Sequence, residues 1–336
     1  MGLLALAAIL LLCLAGPAGS TLAALAAGVL EGRGASSHLD TAPAVPLAPI
    51  AAPLEQPMPA TREHPAYTLY APGGPRVPRT PLIVLHGIGG NGPGMASLVQ
   101  QFALAQGWVI IAPTISYGDW RDPNALTGEE LSLIPQLAKL LDSVPIETGV
   151  PLARRALLFG FSRGAQEALR FTLLYPERVE GVAAFSAGTY TLPVASVPTV
   201  GGAALAAPFP FGIAGLEQHL GHPVNPSRLA GVRFLIGVGE RDDTPADVPR
   251  QWDAYVGTSR LERAQRFTDV LRRLGCRAEI AVIPGVKHEL TGATLQRVTT
   301  FLEQVDGEAQ ALAEAVLTDP PAVPAGLRSR PRAGTV

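Results

Sequence analysis

The strongest constraint on the fold lies at residues 155–169, where an apolar run, RALLFGF, leads through Ser162 into a helical pattern. Gly160 and Gly164 lie two residues before and two residues after this serine. A serine held at a sharp strand-to-helix turn needs such neighbours, because side chains at these positions would meet the crossing backbone. The stretch therefore predicts a nucleophile elbow that exposes the Ser162 hydroxyl at the end of a strand.

Apolar runs alternate with helical patterns along the middle of the chain. The runs predict buried strands at residues 81–85, 108–112, 156–159, 182–186, 234–238 and 278–283. One intervening helix is expected to begin near Thr127, because Thr127 and Glu130 have the spacing of a capping box. The alternation predicts a mostly parallel, doubly wound α/β sheet flanked by helices, with a ligand site at the carboxyl ends of the strands.

Composition narrows the class of protein. The chain has 336 residues, 47% of them hydrophobic, which is enough to bury a large core. Its formal net charge of −2 provides no basic field, so nucleic acid is not expected as a partner. The two cysteines, Cys13 and Cys276, are too few for a disulfide scaffold.

The chain is expected to contain four segments. Residues 1–30 carry no charged side chain and include an apolar run of signal-peptide length, which predicts a cleaved signal peptide or an N-terminal anchor. Residues 31–66 are interpreted as a Pro- and Ala-rich linker, 67–306 as the folded domain, and 307–336 as a C-terminal tail with Pro and Arg. We therefore expect an exported protein, secreted or held at the cell envelope, in which any membrane association involves residues 1–30.

A glycine-rich loop, residues 86–92, follows the first of the predicted strands. It brings main-chain N–H groups to the same edge of the sheet as Ser162. By position, the N–H groups of Ile88 and Arg163 form an oxyanion hole for a tetrahedral intermediate. His86 lies inside the turn of this loop and before the serine in sequence, so we interpret it as structural.

An acid and a base follow later strands. Asp242 comes after the strand at 234–238, and His288 comes after the strand at 278–283. A serine hydroxyl needs a neutral imidazole to take its proton, and the imidazole needs a carboxylate to fix its tautomer. The three side chains are expected to meet at one edge of the sheet. Asp243 stays open as the alternative acid, because the doubled aspartate blurs the register.

Residues 67–305 resemble the α/β-hydrolase family, and especially its serine esterase and polyester (poly(3-hydroxybutyrate)) depolymerase-like branch. The motifs that carry the resemblance are GFSRG at 160–164, GERD at 239–242 and PGVKH at 284–288. The resemblance implies the α/β-hydrolase fold, with Ser162 as nucleophile, Asp242 as acid and His288 as base. The loop at 86–92 matches the oxyanion loop, although it lacks the longer glycine run of one lipase subgroup.

A short apolar insert follows the strand after the nucleophile helix. Residues 181–216 contain no charged side chain and carry several prolines and glycines. Two interpretations stay open, a lid over an apolar pocket and a loop buried against the core. His219 and His222 follow the insert, but this pair alone does not predict a metal site.

The sequence predicts a serine hydrolase that cleaves carboxylic esters, of small molecules or of a polymer, through an acyl-enzyme. This chemistry calls for neither a metal nor a cofactor. Two alternatives stay open. One is a peptidase or thioesterase with the same triad, and the other is a catalytically silent α/β-hydrolase-fold protein that binds a lipid or a partner.

Overall fold

The computed structural model describes residues 52–199 and 201–318. Within these ranges the strands are β1 (Leu54–Met58), β2 (Tyr67–Ala71), β3 (Pro81–Leu85), β4 (Val109–Pro113), β5 (Ala156–Phe161), β6 (Val179–Phe185), β7 (Ser196–Pro198), β8 (Ala204–Ala206), β9 (Arg233–Gly239) and β10 (Arg277–Ile283). The helices are α1 (Gly92–Ser97), α2 (Gln100–Ala105), α3 (Pro123–Thr148), α4 (Arg163–Leu174), α5 (Leu216–Leu220), α6 (Asp253–Val256), α7 (Arg260–Arg273) and α8 (Gly292–Thr318).

Several predicted features lie outside the described residues. They are the signal peptide or anchor at 1–30 with its Cys13, the linker up to residue 51, and the tail beyond Thr318. No helix in the described ranges has both the length and the apolar character needed to cross a lipid bilayer.

Eight of the described strands form one sheet in the order β1-β2-β4-β3-β5-β6-β9-β10. From β4 to β10 all neighbours are parallel, whereas β1 and β2 run antiparallel at one edge. β7 and β8 form a separate hairpin. The mostly parallel, doubly wound sheet predicted from the sequence is confirmed.

Helices cover both faces of the sheet, which is why its middle strands are continuous apolar runs. One face buries Leu137, Phe171 and Phe267 from α3, α4 and α7. The other face buries Met95 from α1 and Phe301 from α8. With both faces closed, the carboxyl ends of the parallel strands are where the loops with the predicted site residues emerge.

Two boundaries of the predicted folded domain, residues 67 and 306, need correction. β1 lies inside the predicted linker and pairs with β2 from Leu54↔Ala71 to Met58↔Tyr67. Its side chains are mostly exposed, so main-chain hydrogen bonds hold it and the sequence shows no apolar pattern. Proline is tolerated in this strand because it lies at the sheet edge. At the other end, α8 extends beyond residue 306 into the predicted tail and ends at Thr318.

Polar contacts anchor the second half of α8 to the domain. Asp306 accepts hydrogen bonds from Thr80 Oγ1 and from Trp108 Nε1, each at 2.7 Å. Glu308 pairs with Arg233 at 2.6 Å. These contacts link residues far apart in sequence, which explains why local apolar spacing underestimated the helix.

The start of α3 differs from the prediction. The helix begins at Pro123, and Asp122 caps it by accepting a hydrogen bond from Asn124 N at 2.9 Å. Thr127 lies inside the helix, where its hydroxyl donates to Pro123 O at 2.7 Å. The predicted capping box of Thr127 and Glu130 is therefore wrong, and Glu130 has another role.

Glu130 is the centre of a buried ionic network that joins α3 to α4. Its Oε1 accepts hydrogen bonds from Arg170 Nη1 at 2.6 Å and from Arg163 Nη1. Arg163 also pairs with Glu129, so its guanidinium is buried instead of facing solvent. Burial and the charge of Glu130 raise the pKa of the Glu167 carboxyl well above its usual range, which favours the neutral form of Glu167.

We predict that Glu130→Ala lowers the free energy of unfolding by about 3 kcal/mol or more, because two buried arginines lose the carboxylate that they share. Asp142→Ala on the same helix is the matched control. Asp142 pairs with Arg178 at 2.7 Å, but its side chain is 66% exposed, and such surface pairs contribute at most about 1 kcal/mol. Urea unfolding measures both variants, and equal losses would contradict a special role for Glu130.

Candidate active site

Ser162 lies at the junction of β5 and α4. Its φ of 55° and ψ of −115° fall in a region that residues other than glycine rarely adopt. Ser162 N donates to Phe185 O at 2.9 Å and so ties the turn to β6. The strained turn presents the serine at the carboxyl edge of the sheet.

Gly160 and Gly164 allow the backbone segments of the elbow to approach each other closely. A Cβ on Gly164 would overlap the main-chain oxygen of Leu85 in β3, and a Cβ on Gly160 would lie 2.7 Å from Ala165 Cα. Any side chain at either position would push α4 away from the sheet. The close approach of the backbone at these two positions is therefore the steric reason why the elbow needs glycine there.

His288 joins Ser162 to Asp242. Its Nε2 lies 3.0 Å from Ser162 Oγ, and its Nδ1 lies 2.8 Å from Asp242 Oδ2. Because an ionised carboxylate only accepts, Nδ1 carries the proton and Nε2 accepts from the serine hydroxyl. The Phe161 ring lies against the imidazole, with 5.0 Å between the ring centroids. The structure therefore brings these three side chains together.

Asp242, and not Asp243, faces His288. Asp242 is 3% exposed, and its second oxygen, Oδ1, accepts a hydrogen bond from Arg260 Nη1 at 2.9 Å. Arg260 also donates to Asp247 O at 2.8 Å, which fixes the loop after β9. Asp243 is exposed to solvent.

The charge of Asp242 is set by its two partners. Burial alone would raise the pKa of this carboxyl, but the hydrogen bond from His288 and the charge of Arg260 outweigh burial and hold the pKa below its usual range. Asp242 is therefore ionised at neutral pH and can stabilise a positive charge on the imidazole. Burial, followed by the charge of Asp242, raises the pKa of the neighbouring Tyr190, which stays neutral.

Two main-chain donors adjoin the serine. Ile88, Ser162 and Arg163 line one cavity of about 90 Å³. Within the described residues, the N–H groups of Ile88 and Arg163 donate to no other protein group. Arg163 is the first residue of α4, so its N–H belongs to the positive end of the helix dipole. Gly87 lets the loop come near, since a Cβ there would lie 3.2 Å from Ser162 Cβ.

His86 holds the glycine-rich loop at residues 86–92 in place. Its Nε2 accepts a hydrogen bond from Ile115 N at 3.0 Å, so its Nδ1 carries the proton and donates to Gly87 O at 2.7 Å. Burial lowers the pKa of the ring, which is neutral at pH 7. These contacts agree with the structural role expected for His86.

Two cavities meet at the loop that contains Ile88. The smaller, of about 90 Å³, is also lined by Trp120, Gln166, Gly188 and Arg260. The larger and more open one, of about 300 Å³, is lined mostly by apolar groups, among them Met95, Leu98, Phe161 and Leu290. The elbow therefore lies between a small cavity with both polar and apolar walls and a more open, mostly apolar one.

The apolar insert reaches the small cavity through Gly188. Residues 181–193 are all buried. Farther along, Leu192 and Val197 line a separate cavity of about 580 Å³ against Tyr255 of α6 and Val270 of α7. Residues 186–193 of the insert thus pack against the core, whereas the hairpin of β7 and β8 beyond them is mostly exposed. β7 lines the cavity of about 580 Å³ and not the one beside Ser162, so the interpretation as a lid over Ser162 is not supported.

Arg260 and Gln166 are site residues that the sequence reasoning missed. Arg260 begins α7, 18 positions after its partner Asp242, and no motif marks it. Gln166 lies in α4, where every residue from Arg163 to Leu173 is buried. A run of polar residues in a helix with no exposed face is the signal that could have directed attention to Gln166.

The remaining residues singled out in the sequence lie away from this site. His219 and His222 are exposed, in and just after α5. The described ranges contain no group of three or more His, Cys, Asp or Glu side chains that could hold a metal ion. Cys276 is buried, and burial raises the pKa of its thiol.

We predict that Gly164→Ala lowers the free energy of unfolding by about 2 kcal/mol or more, because the added methyl forces β3 and α4 apart. Gly128→Ala in α3 is the matched control, since a Cβ there meets nothing within 4 Å. Replacing glycine by alanine in an exposed helix interior raises the free energy of unfolding by up to about 1 kcal/mol. Thermal or urea unfolding checks the contrast, and similar effects for both variants would refute it.

We predict that Arg260→Gln destabilises the protein at pH 7 and that the difference from wild type narrows below about pH 4. A depressed folded-state pKa means that ionised Asp242 contributes stability above its unfolded pKa, and that this contribution is lost as pH falls through the folded value. Removing Arg260 reduces the contribution. Urea unfolding between pH 7 and pH 3 measures the difference, with Arg260→Lys as the charge-retaining control. A difference independent of pH would show that Arg260 acts by packing alone.

No protein-family model matches the chain, and no curated protein matches its sequence. A solved structure of poly(aspartic acid) hydrolase-1 from Sphingomonas sp. KT-1 matches with a TM-score of 0.53 and 19% identity, over 75% of this chain and 97% of that one.

Two further solved structures are similar. A poly(3-hydroxybutyrate) depolymerase from Bordetella parapertussis matches with a TM-score of 0.53 and 22% identity, over 74% of this chain and 95% of that one. A ferulic acid esterase from the anaerobic fungus Anaeromyces mucronatus matches with a TM-score of 0.51 and 14% identity, over 76% and 91% of the two chains. At these identities the likeness concerns the fold, and the chain has the α/β-hydrolase fold.

Proposed function

We propose that this protein is a serine hydrolase that cleaves carboxylic esters through an acyl-enzyme. The observation that carries the proposal is the position of His288, with Nε2 3.0 Å from Ser162 Oγ and Nδ1 2.8 Å from Asp242 Oδ2. These distances support the roles of nucleophile for Ser162, base for His288 and orienting acid for Asp242. The esterase and depolymerase named among the structures of similar fold favour esters as the substrate class.

In the first half of the reaction, Ser162 Oγ attacks the ester carbonyl while its proton passes to His288 Nε2. The carbonyl oxygen becomes an oxyanion that accepts hydrogen bonds from the N–H groups of Ile88 and Arg163. Each of these donors lowers the activation barrier by about 3 kcal/mol. Asp242 stabilises the imidazolium. The bond to the alkoxy group then breaks, and the departing alcohol takes the proton from His288.

In the second half, water replaces the alcohol. His288 Nε2 takes a proton from the water, whose oxygen attacks the acyl carbonyl. The second tetrahedral intermediate collapses, the bond between the acyl carbon and Ser162 Oγ breaks, and the serine oxygen recovers the proton. The products are a carboxylic acid and an alcohol.

The two cavities suggest where the halves of the ester bind. The leaving alcohol must lie near His288, which gives it a proton. Phe161, whose ring contacts His288, and Leu290 line the apolar cavity of about 300 Å³. We therefore assign this open cavity to the alcohol, of a small molecule or of a polymer chain, and the cavity of about 90 Å³ to the acyl group. Residues 1–30 support the further proposal that the protein meets its substrate after export.

We predict that wild-type protein hydrolyses p-nitrophenyl acetate and is labelled by a fluorophosphonate, and that Ser162→Ala loses the label and about 10⁴-fold or more in kcat. Ser132→Ala, an exposed serine on α3, is the matched control and keeps both. Equal turnover by Ser162→Ala and wild type would refute the proposal. Faster cleavage of the matching anilide or thioester would instead favour the peptidase or thioesterase alternative.

A further inference from the structure

Gln166 occupies the helix turn directly after the elbow and lines the cavity that adjoins Ser162. Its main-chain N–H donates to Ser162 O at 3.3 Å, so its backbone is fixed relative to the nucleophile. The residue is only 6% exposed. The polar atoms of a side chain buried at this place bind to protein, to water or to a ligand.

Only one end of the Gln166 amide is bonded to protein. Thr189 Oγ1 donates to Gln166 Oε1, and Arg170 Nη1 lies 3.5 Å from the same atom. Thr189 Oγ1 itself accepts from Arg170 Nη2 at 2.8 Å, so its own proton is free for Gln166. The Arg170 guanidinium can only donate hydrogen bonds. If the Gln166 amide were flipped, its NH₂ group would face the guanidinium, and two donors would oppose each other. The contacts therefore fix Oε1 on the arginine side and Nε2 on the cavity side.

Gln166 Nε2 makes no hydrogen bond within the described part of the chain. Nor is Nε2 fully enclosed by protein, so it is accessible from the cavity. Gly188 lies across from it, since a Cβ there would be 3.5 Å from Nε2. The missing side chain keeps the space in front of the amide open.

The cavity limits what can occupy that space. A volume of about 90 Å³ holds about three groups of the size of a water molecule or a methyl. Arg260 and Asp247 also line it, so its walls are not purely apolar. Arg260 Nη1 and Nη2 are bound to Asp242 and to Asp247 O, and its Nε is enclosed by protein, so of these two side chains the Gln166 amide is the donor that the occupant can reach.

We propose that Gln166 is a specificity-determining residue that selects short acyl groups with a hydrogen-bond-accepting oxygen beyond the ester carbonyl. The assignment rests on the proposed ester hydrolysis and adds the class of acyl group. An oxygen on the second or third acyl carbon accepts from Nε2, whereas a methyl in its place leaves a desolvated donor without a partner. The preferred substrates are therefore esters whose acyl group carries a hydroxyl, keto or ether oxygen on one of these carbons.

The test uses pairs of p-nitrophenyl esters with equal numbers of heavy atoms, 3-hydroxypropanoyl with butanoyl and hydroxyacetyl with propanoyl. Each ratio of kcat/KM is divided by the ratio of the rates with hydroxide ion, which removes the difference in intrinsic reactivity. Wild type is expected to favour the oxygen-bearing ester of at least one pair by about three- to tenfold. Normalised ratios near one for both pairs would overturn the proposal.

Gln166→Met keeps the length of the side chain but removes the donor, so the preference is expected to fall to a normalised ratio of one. Gln296→Met makes the same change at an exposed position on α8 and keeps the wild-type ratio. Thermal unfolding of Gln166→Met reports how much the lost Thr189 contact affects the fold. A folded Gln166→Met that retains the wild-type ratio would also overturn the proposal.

Gly188→Ala provides a second variant in which the amide stays intact. The added methyl would lie 3.5 Å from Gln166 Nε2 and 3.9 Å from Arg260 Nε, which are ordinary contacts that the fold accommodates. It fills the space in front of the amide, so butanoyl and 3-hydroxypropanoyl esters are expected to lose about tenfold or more relative to acetyl. An unchanged ratio to acetyl would contradict the assignment of this cavity to the acyl group. Absence of all ester turnover and of fluorophosphonate labelling in wild type would instead refute the proposed function, and this assignment with it.

Discussion

The buried carboxylate of Glu130 holds in place the helix that presents the candidate site. Through Arg163 it fixes the first residue of α4, whose main-chain N–H adjoins Ser162. Through Arg170 it fixes the partner that orients the Gln166 amide. Charges buried this deeply are unfavourable unless they are paired, so α3 and α4 must come together in one register. The hydrophobic core alone tolerates small shifts between helices, whereas this network does not.

A second constraint acts at the opposite side of the serine. Asp242 is shared between His288 and Arg260, one carboxylate oxygen for each. The arginine keeps the acid ionised and ties its loop to α7, and it also takes up part of the negative charge available to the imidazole. The contact with Arg260 thus sets both the position and the charge of Asp242. The ring of Phe161 lies against the imidazole and limits the remaining motion of His288.

The sequence predicted those features that depend on local steric or apolar patterns. Parallel strands buried on both faces must be continuous apolar runs, and the elbow needs glycines at fixed positions, so the sheet and the order of Ser162, Asp242 and His288 along its edge were readable. β1 was missed because main-chain bonds hold it. Glu130 was assigned to a helix cap because its true partner, Arg170, is 40 positions away. Arg260 and Gln166 acquire their roles only through contacts between distant segments, which no local spacing reveals.

The placement of Gln166 within one helix turn of Ser162 has a mechanical consequence. Both residues belong to the same short rigid body, joined by the hydrogen bond from Gln166 N to Ser162 O. When α4 tilts or shifts in thermal motion, the Ser162 residue and the Gln166 residue move together, and the distance between their backbones is preserved. Loops at the rim of the site can rearrange without altering that distance. The helix thus fixes the spacing between the two residues independently of the loops around them.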